Sequence, residues 1–357
     1  MTYATGLGAT YDIFNRTQYA VIAFFVLYII MHYNQYRINK KLLIILAGVL
    51  FSNIITYVQY EKTISSYVWV WLLIPLYAIF KIEKSDMKFI GWFYGIAGFV
   101  VLYFANYTDT FKGWDGNSIS LIVFMSYIVF IATYADIRDK GNIIFLVIYS
   151  LIYFYLLNAL GSRSVIGFSA LLLLCVLSVI PFRSFLNKGT TILILLMPLL
   201  IAIFVVTIRN FATVMLLNRW SLIYFGKPLF NGRDRIWYFG FKWWMLNPVL
   251  GNGNLDTSRW HNSAITCLVS CGLFGYLVFI FAFYFVCKKA LKYKEDKIVY
   301  GLLCAFFAVW MQQSVELGLI STIPNIMPYA ILGLLYSRTH MLEVQNEKDI
   351  VNNSSGI

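Results

Sequence analysis

Long apolar runs recur along the chain, each of about the 17 to 25 residues that a helix needs to cross a bilayer. With 60% hydrophobic and only 12% charged residues over 357 positions, there is more apolar surface than a soluble domain of this length buries. The chain therefore reads as an all-α integral membrane protein. Eleven spans are expected, at about 18–33, 41–59, 64–80, 88–106, 117–135, 142–160, 164–181, 190–208, 262–287, 298–315 and 320–336. One polytopic unit, residues 1–339, holds them all, and one large outward-facing loop, 209–261, separates the eighth from the ninth. The remainder, 340–357, is polar and is expected to be a disordered cytoplasmic tail.

Lysine and arginine alternate between the connections. Arg37, Lys40 and Lys41 follow the first span, and Lys81, Lys84 and Lys88 the third. Arg138 and Lys140 follow the fifth, Arg183 and Lys188 the seventh, and Lys288, Lys289, Lys292, Lys294 and Lys297 the ninth. The short even-numbered connections carry Lys62, Lys112, Arg163 and then none. That bias places the odd loops in the cytoplasm, with the N-terminus outside and the C-terminus inside. The net charge of +12 does not argue for nucleic acid, because the basic residues are dispersed over short loops. Residues 1–16 show no basic stretch leading into a short apolar core, so the first apolar run is expected to be retained. Cys175, Cys267, Cys271, Cys287 and Cys304 lie in or beside apolar runs without a CxxC or Cys/His grouping. They suggest packing residues rather than a zinc site or a disulfide frame.

The long loop departs from the charge pattern. It carries Arg209, Arg219, Lys227, Arg233, Arg235, Lys242 and Arg259, together with Trp220, Trp237, Trp243, Trp244 and Trp260. Long loops cross membranes whatever their charge, so the topology stands. The basic excess reads either as a solvated loop at the lipid headgroups or as a site for an anion. The tryptophans place the segment at the interface, and RIWYFGFKWWML (235–246) can form a helix lying flat there. NPVLGNGN (247–254) is turn-rich. It is not a phosphate loop, since no strand or Lys-Ser/Thr pair accompanies it.

His261 stands just before the ninth span, with Asn262 or Ser263 placed to cap that helix. The positive end of the helix dipole favours neutral imidazole, the form that accepts a proton. The plainer reading is an interfacial hydrogen-bonding side chain. Arg163, in NALGSRSVIG, lies in a short outer turn and either snorkels or faces a polar cavity. Arg209 ends the eighth span on the same side, and Arg233 and Arg235 follow in the loop. Guanidinium forks match phosphate oxygens, which makes these four arginines candidate diphosphate ligands and His261 the candidate base. Gly272 comes eleven residues after His261, close to three turns on and hence on the same face of a continuous helix. With Gly275 it would admit a neighbouring helix. Glu316 and Gln312, one turn apart, are candidates to line the cavity.

Three stretches, in this order, carry a resemblance to a known family. GSRSVIG is similar to that family's Ser-Arg at a helix start. NGRDRIWYFGFKWWMLNPVLGNGN is similar to its Gly-Arg…Trp…Pro-x-x-Gly-x-Gly run. HNSAITCLVSCGLFGYLVFI fits a His, ten residues, then Gly. Over about 160–287 the chain thus resembles the O-antigen ligase and Wzy-type polysaccharide polymerase superfamily. The resemblance implies that Arg163 and Arg233 bind the diphosphate of an undecaprenyl-linked glycan. His261 would be the base, or would orient the acceptor hydroxyl. It implies direct, inverting displacement with no metal or cofactor, at the outer face of a bacterial cytoplasmic membrane. A flippase and a chain-length regulator would be its working partners. The short chain favours a polymerase of capsule, exopolysaccharide or O-antigen over a ligase that transfers glycan to another acceptor. A lipid-linked oligosaccharide flippase is the alternative from a different class. Against it stand the lack of an internal repeat and polar residues gathered at one face rather than at the midplane.

Overall fold

The computed structural model describes residues 83–111, 113–114, 116–135, 139–226, 228–253, 260–316 and 327–354, with scattered positions between 44 and 78. Among the described residues the chain is helical throughout. The helices are α1 (Lys84–Tyr107), α2 (Gly116–Ala132), α3 (Lys140–Asn158), α4 (Arg163–Val176), α5 (Phe182–Phe185), α6 (Lys188–Ile208), α7 (Ala212–Phe225), α8 (Arg233–Trp244), α9 (Ser263–Leu291), α10 (Lys297–Gln312) and α11 (Met327–Ser354). Every span expected between 88 and 315 has its helix, and the last, 320–336, is helical from Met327, with 320–326 outside the described residues. The three expected before 88 lie outside the described residues, apart from isolated positions.

Helix starts follow cap chemistry. At α6, Asn187 Oδ1 accepts from the Thr190 N–H (3.0 Å) while the Asn187 N–H donates to Thr190 Oγ1 (2.9 Å). Asp139 takes the Asn142 N–H at α3, and Asp296 takes those of Ile298 and Val299 at α10. Each satisfies donors that a first turn leaves open.

Four helices, α1, α3, α6 and α9, are long and apolar enough to cross a membrane, and α2, α4 and α10 are shorter apolar helices. α9 is the axis, buried over most of its circumference and packed against α6, α8 and α11. The peripheral helices keep large apolar side chains outward, among them Phe89, Ile148, Leu193 and Phe204. Such a surface suits lipid and not water. α1 comes close to α2 along Gly91, Gly95 and Gly98, where added β-carbons would meet Thr133, Phe130 and Ser126.

α10 defines two ends of the bundle, about 24 Å apart over its 16 residues. At its start Tyr300 Oη donates to Cys175 O (3.0 Å), so α4 runs antiparallel to it. Lys294 Nζ donates to Arg183 O and Leu186 O (both 3.0 Å), which brings the start of α6 to the same end. Lys84, Lys88, Arg183, Lys294 and Lys297, from three of the connections that the alternation groups together, lie at this end, while Arg37, Lys40, Lys41, Lys81 and Arg138 lie outside the described residues. α11 runs on to Ser354, so the segment expected to be a disordered tail is helical to that point. Ion pairs tie the helix down: Arg338 Nη2–Asp296 Oδ2 at 2.7 Å and Lys289 Nζ–Glu343 Oε2 at 2.8 Å.

Candidate functional site

The expected loop 209–261 contains two helices, α7 and α8. α8 packs on the far part of α6 and the start of α9. Trp237 is buried with Ala202, Val205, Trp260, Ile265 and Val269, and its Nε1–H donates to Trp260 O (2.7 Å). Gly240 leaves room for Trp260 and Ile265, where a β-carbon would collide. α8 is therefore embedded by one face rather than resting flat. Trp220 and Trp243 are exposed, whereas Trp237 and Trp260 belong to the core.

α9 is broken at Gly272, where φ is 67° and ψ −173°. The NPVLGNGN segment fills the break with its own backbone. The Asn252 and Gly253 N–H groups donate to Val269 O (2.7 Å) and Ser270 O (3.1 Å). In return the Leu273 and Phe274 N–H groups donate to Pro248 O (2.9 Å) and Val249 O (3.1 Å). Two carbonyls and two amides that would have bonded each other within the helix are all satisfied by the inserted segment, as buried backbone requires. Gly251 (φ 77°) and Gly272 meet so closely that a β-carbon on either would strike the main chain opposite. Gly272 thus admits this segment, not a neighbouring helix. The expected shared face of His261 and Gly272 assumed a continuous helix and does not apply.

His261 lies just outside the cap with φ 46°. That left-handed backbone costs a residue with a side chain about 1–2 kcal/mol, and such strain gathers at functional sites. Asn262, the cap itself, is fully buried. Its Oδ1 accepts from the Ala264 and Ile265 N–H groups (2.9 and 3.0 Å), and its Nδ2 donates to Pro198 O (2.9 Å) and Ser314 O (2.8 Å). The start of α9 is thereby pinned to the middle of α6 and the end of α10. Ser263 Oγ donates to Gln313 Oε1 (2.9 Å), and Gln313 Nε2 donates to Gln312 Oε1 (2.6 Å). Asn262 and Gln312, expected beside a cavity, form this buried clamp. Pro198 precedes the last residue of α6 by ten positions, about 15 Å. α6 therefore continues about that far past the clamp, which lies where α9 begins and α10 ends.

The clamp sets Glu316 between two partners from separate segments. Arg233 Nη2 reaches Glu316 Oε1 at 2.6 Å, and His261 Nδ1 lies 3.5 Å from Oε2. The side chains of Arg233 and Glu316 are 20% and 13% exposed, and that of His261 is 40% exposed, so the carboxylate is covered while the imidazole stays open. Arg233 Nε, His261 Nδ1, Trp260 Nε1, Gln312 Nε2 and Ser314 Oγ are buried atoms without a hydrogen-bond partner among the described residues. Such groups mark where a polar ligand or water is accepted. Among the described residues no three His, Cys, Asp or Glu side chains gather as metal ligands would.

The other arginines stand apart from this cluster. Arg163, exposed at the first position of α4, lies toward the same end of the bundle but makes no ion pair or hydrogen bond with it. Arg209 caps α6 and sits over the Tyr238 ring at 3.7 Å, with Lys242 Nζ at 4.7 Å. A hydrogen bond from Lys242, aided by Arg209, holds the Tyr238 phenol below the usual tyrosine range. Arg235 is exposed, 5.9 Å from the Phe239 ring. Tyr238 and Lys242 were not singled out from sequence, although their i,i+4 spacing on α8 is a readable signal. No protein-family model and no curated protein matches the chain. Its chemistry has to be read from this geometry.

Proposed function

We propose that the chain is a glycosyltransferase that polymerises undecaprenyl-diphosphate-linked glycan repeats into a surface polysaccharide. The observation that carries this reading is the Arg233–Glu316–His261 cluster, held together beside a buried clamp. The Glu316 carboxylate lies 3.5 Å from Nδ1 without hydrogen-bonding it, and its nearby charge favours a proton on that nitrogen, leaving Nε2 as the base. An acceptor hydroxyl gives its proton to Nε2 as its oxygen bonds to the anomeric carbon. The bond from that carbon to the diphosphate oxygen breaks, and the departing diphosphate takes the electron pair. Arg233, with Nε still unpaired, stabilises the growing negative charge. Arg163, Arg209 and Arg235 attract the anionic headgroup nearer the rim. Displacement from the opposite side inverts the anomeric centre, and a ligase would run the same step onto a different acceptor.

The break in α9 favours a second reading, a lipid-linked glycan flippase, because discontinuous helices are a feature of transporters. One assay separates the readings. Purified protein in detergent, given the host's lipid-linked repeat unit, should produce a polymer ladder. His261→Ala and Arg233→Ala should abolish the ladder while still inserting into membranes. Transfer only to a foreign acceptor would identify a ligase. Translocation in liposomes without a new glycosidic bond would identify a transporter.

A further inference from the structure

At the end of the bundle away from His261 the structure has a cavity of about 520 Å³. That volume is in the range of small-ligand sites. Its walls include Lys84 and Lys88 of α1, Asn142 of α3, Lys297 of α10 and Arg338 of α11. Among the described lining residues the sole carboxylate is Asp296. Asp296 is already engaged: Arg338 Nη2 holds Oδ2 at 2.7 Å, and Oδ1 caps α10. Lys84 and Lys88 make no ion pair among the described residues. The starts of α1, α3 and α10 lie at this cavity, and each is already capped by a carboxylate, from Glu83 with Asp86, Asp139 and Asp296 in turn. A lining with this surplus of cations suits an anion. The wall is not wholly polar, since Met87 and Trp92 also line it.

We infer that this cavity binds a phosphate group, carried by an anionic lipid headgroup or by a soluble phosphate ester. Lys84 and Lys88 contact the phosphate oxygens, and Met87 with Trp92 receives the less polar part of the molecule. Basic pockets between membrane helices take up lipid phosphates in this way. The site is separate from the His261 cluster and does not depend on the proposed reaction.

The test uses the purified full-length protein in zwitterionic detergent. The probes are phosphatidylglycerol, phosphatidylcholine and inorganic phosphate, with bound molecules counted by native mass spectrometry and stability followed by thermal unfolding. The variants are Lys84→Gln/Lys88→Gln and, as a control, Lys188→Gln, an exposed lysine at the same end but outside the cavity. The expected result is retention of phosphatidylglycerol over phosphatidylcholine, weakened at least about tenfold in the double variant and unchanged in the control. Stabilisation by inorganic phosphate that the double variant loses would assign the same site to a soluble phosphate. Equal binding of all probes by wild type and double variant, or no binding, would overturn the inference. Both lysines are exposed, so the double variant should fold.

Discussion

Glu316 holds the candidate site together, because among the described residues it alone pairs with both Arg233 and His261. Its ion pair with Arg233 is mostly covered, and removing one member strands the other's charge. Glu316→Gln or Arg233→Gln alone should lower stability by about 2 kcal/mol, less than for a fully buried pair because water still reaches both groups. The double variant should cost less than the two singles together. Thermal unfolding in detergent would measure this, and simple additivity would mean that the two groups are not coupled. His261 permits a second comparison. Its left-handed backbone suits glycine, so His261→Gly should be about 1 kcal/mol more stable than His261→Ala, though both should be inactive. Tyr238 permits a third. Its folded pKa is depressed, so its contribution to stability is full above the ordinary tyrosine pKa and is lost as pH falls through the folded value. At neutral pH it contributes nothing. Phenolate absorbance of wild type minus Tyr238→Phe should show an early titration that moves upward in a Lys242→Met background.

At the scale of elements, the reading from sequence succeeds where a local rule is enough. α6 is uninterrupted apolar sequence between an Asn187 cap and Arg209, and both ends are legible within two residues. The break in α9 is not legible. The residues on either side of Gly272 are as apolar as the rest of the helix, and the partners of Val269, Ser270, Leu273 and Phe274 lie some twenty residues earlier in sequence. Hydrophobic periodicity records neighbours in sequence and cannot report a segment inserted from elsewhere. The same limit applies to the site. His261 and Arg233 stand out by residue type, but their meeting on Glu316 depends on the Asn262 clamp, a non-local set of hydrogen bonds. The inserted segment makes a firm prediction. Gly272→Ala and Gly251→Ala each force a side chain into the opposing main chain at positive φ, and each should cost more than about 3 kcal/mol. Gly167→Ala, exposed in α4 with open space around it, should be neutral or slightly stabilising. Yield of folded protein and thermal midpoint would separate these. A tolerated alanine at both Gly251 and Gly272 would refute the close backbone pairing.

At the scale of the molecule, the bundle has a basic end, where Lys84, Lys88, Lys294 and Lys297 meet, and an opposite end, where the Arg233–Glu316–His261 cluster lies. The alternation of basic loops leads to the expectation that the first end faces the cytoplasm, and the proposed reaction needs the second to face outward, where a translocated glycan donor arrives. Both conditions can be tested at once. All five native cysteines are buried, so a new exposed cysteine can be read against a quiet background. Arg235→Cys reports on the α8 side, and Lys188→Cys on the basic end; both positions are exposed. A membrane-impermeant maleimide applied to intact cells stripped of their wall should label Arg235→Cys at once, and Lys188→Cys only after the membrane is opened. The reverse pattern would turn the cluster toward the cytoplasm, out of reach of a translocated donor, and the polymerase reading would fall. It would leave the geometry of the cluster and the proposed phosphate cavity untouched, because neither depends on which compartment they face.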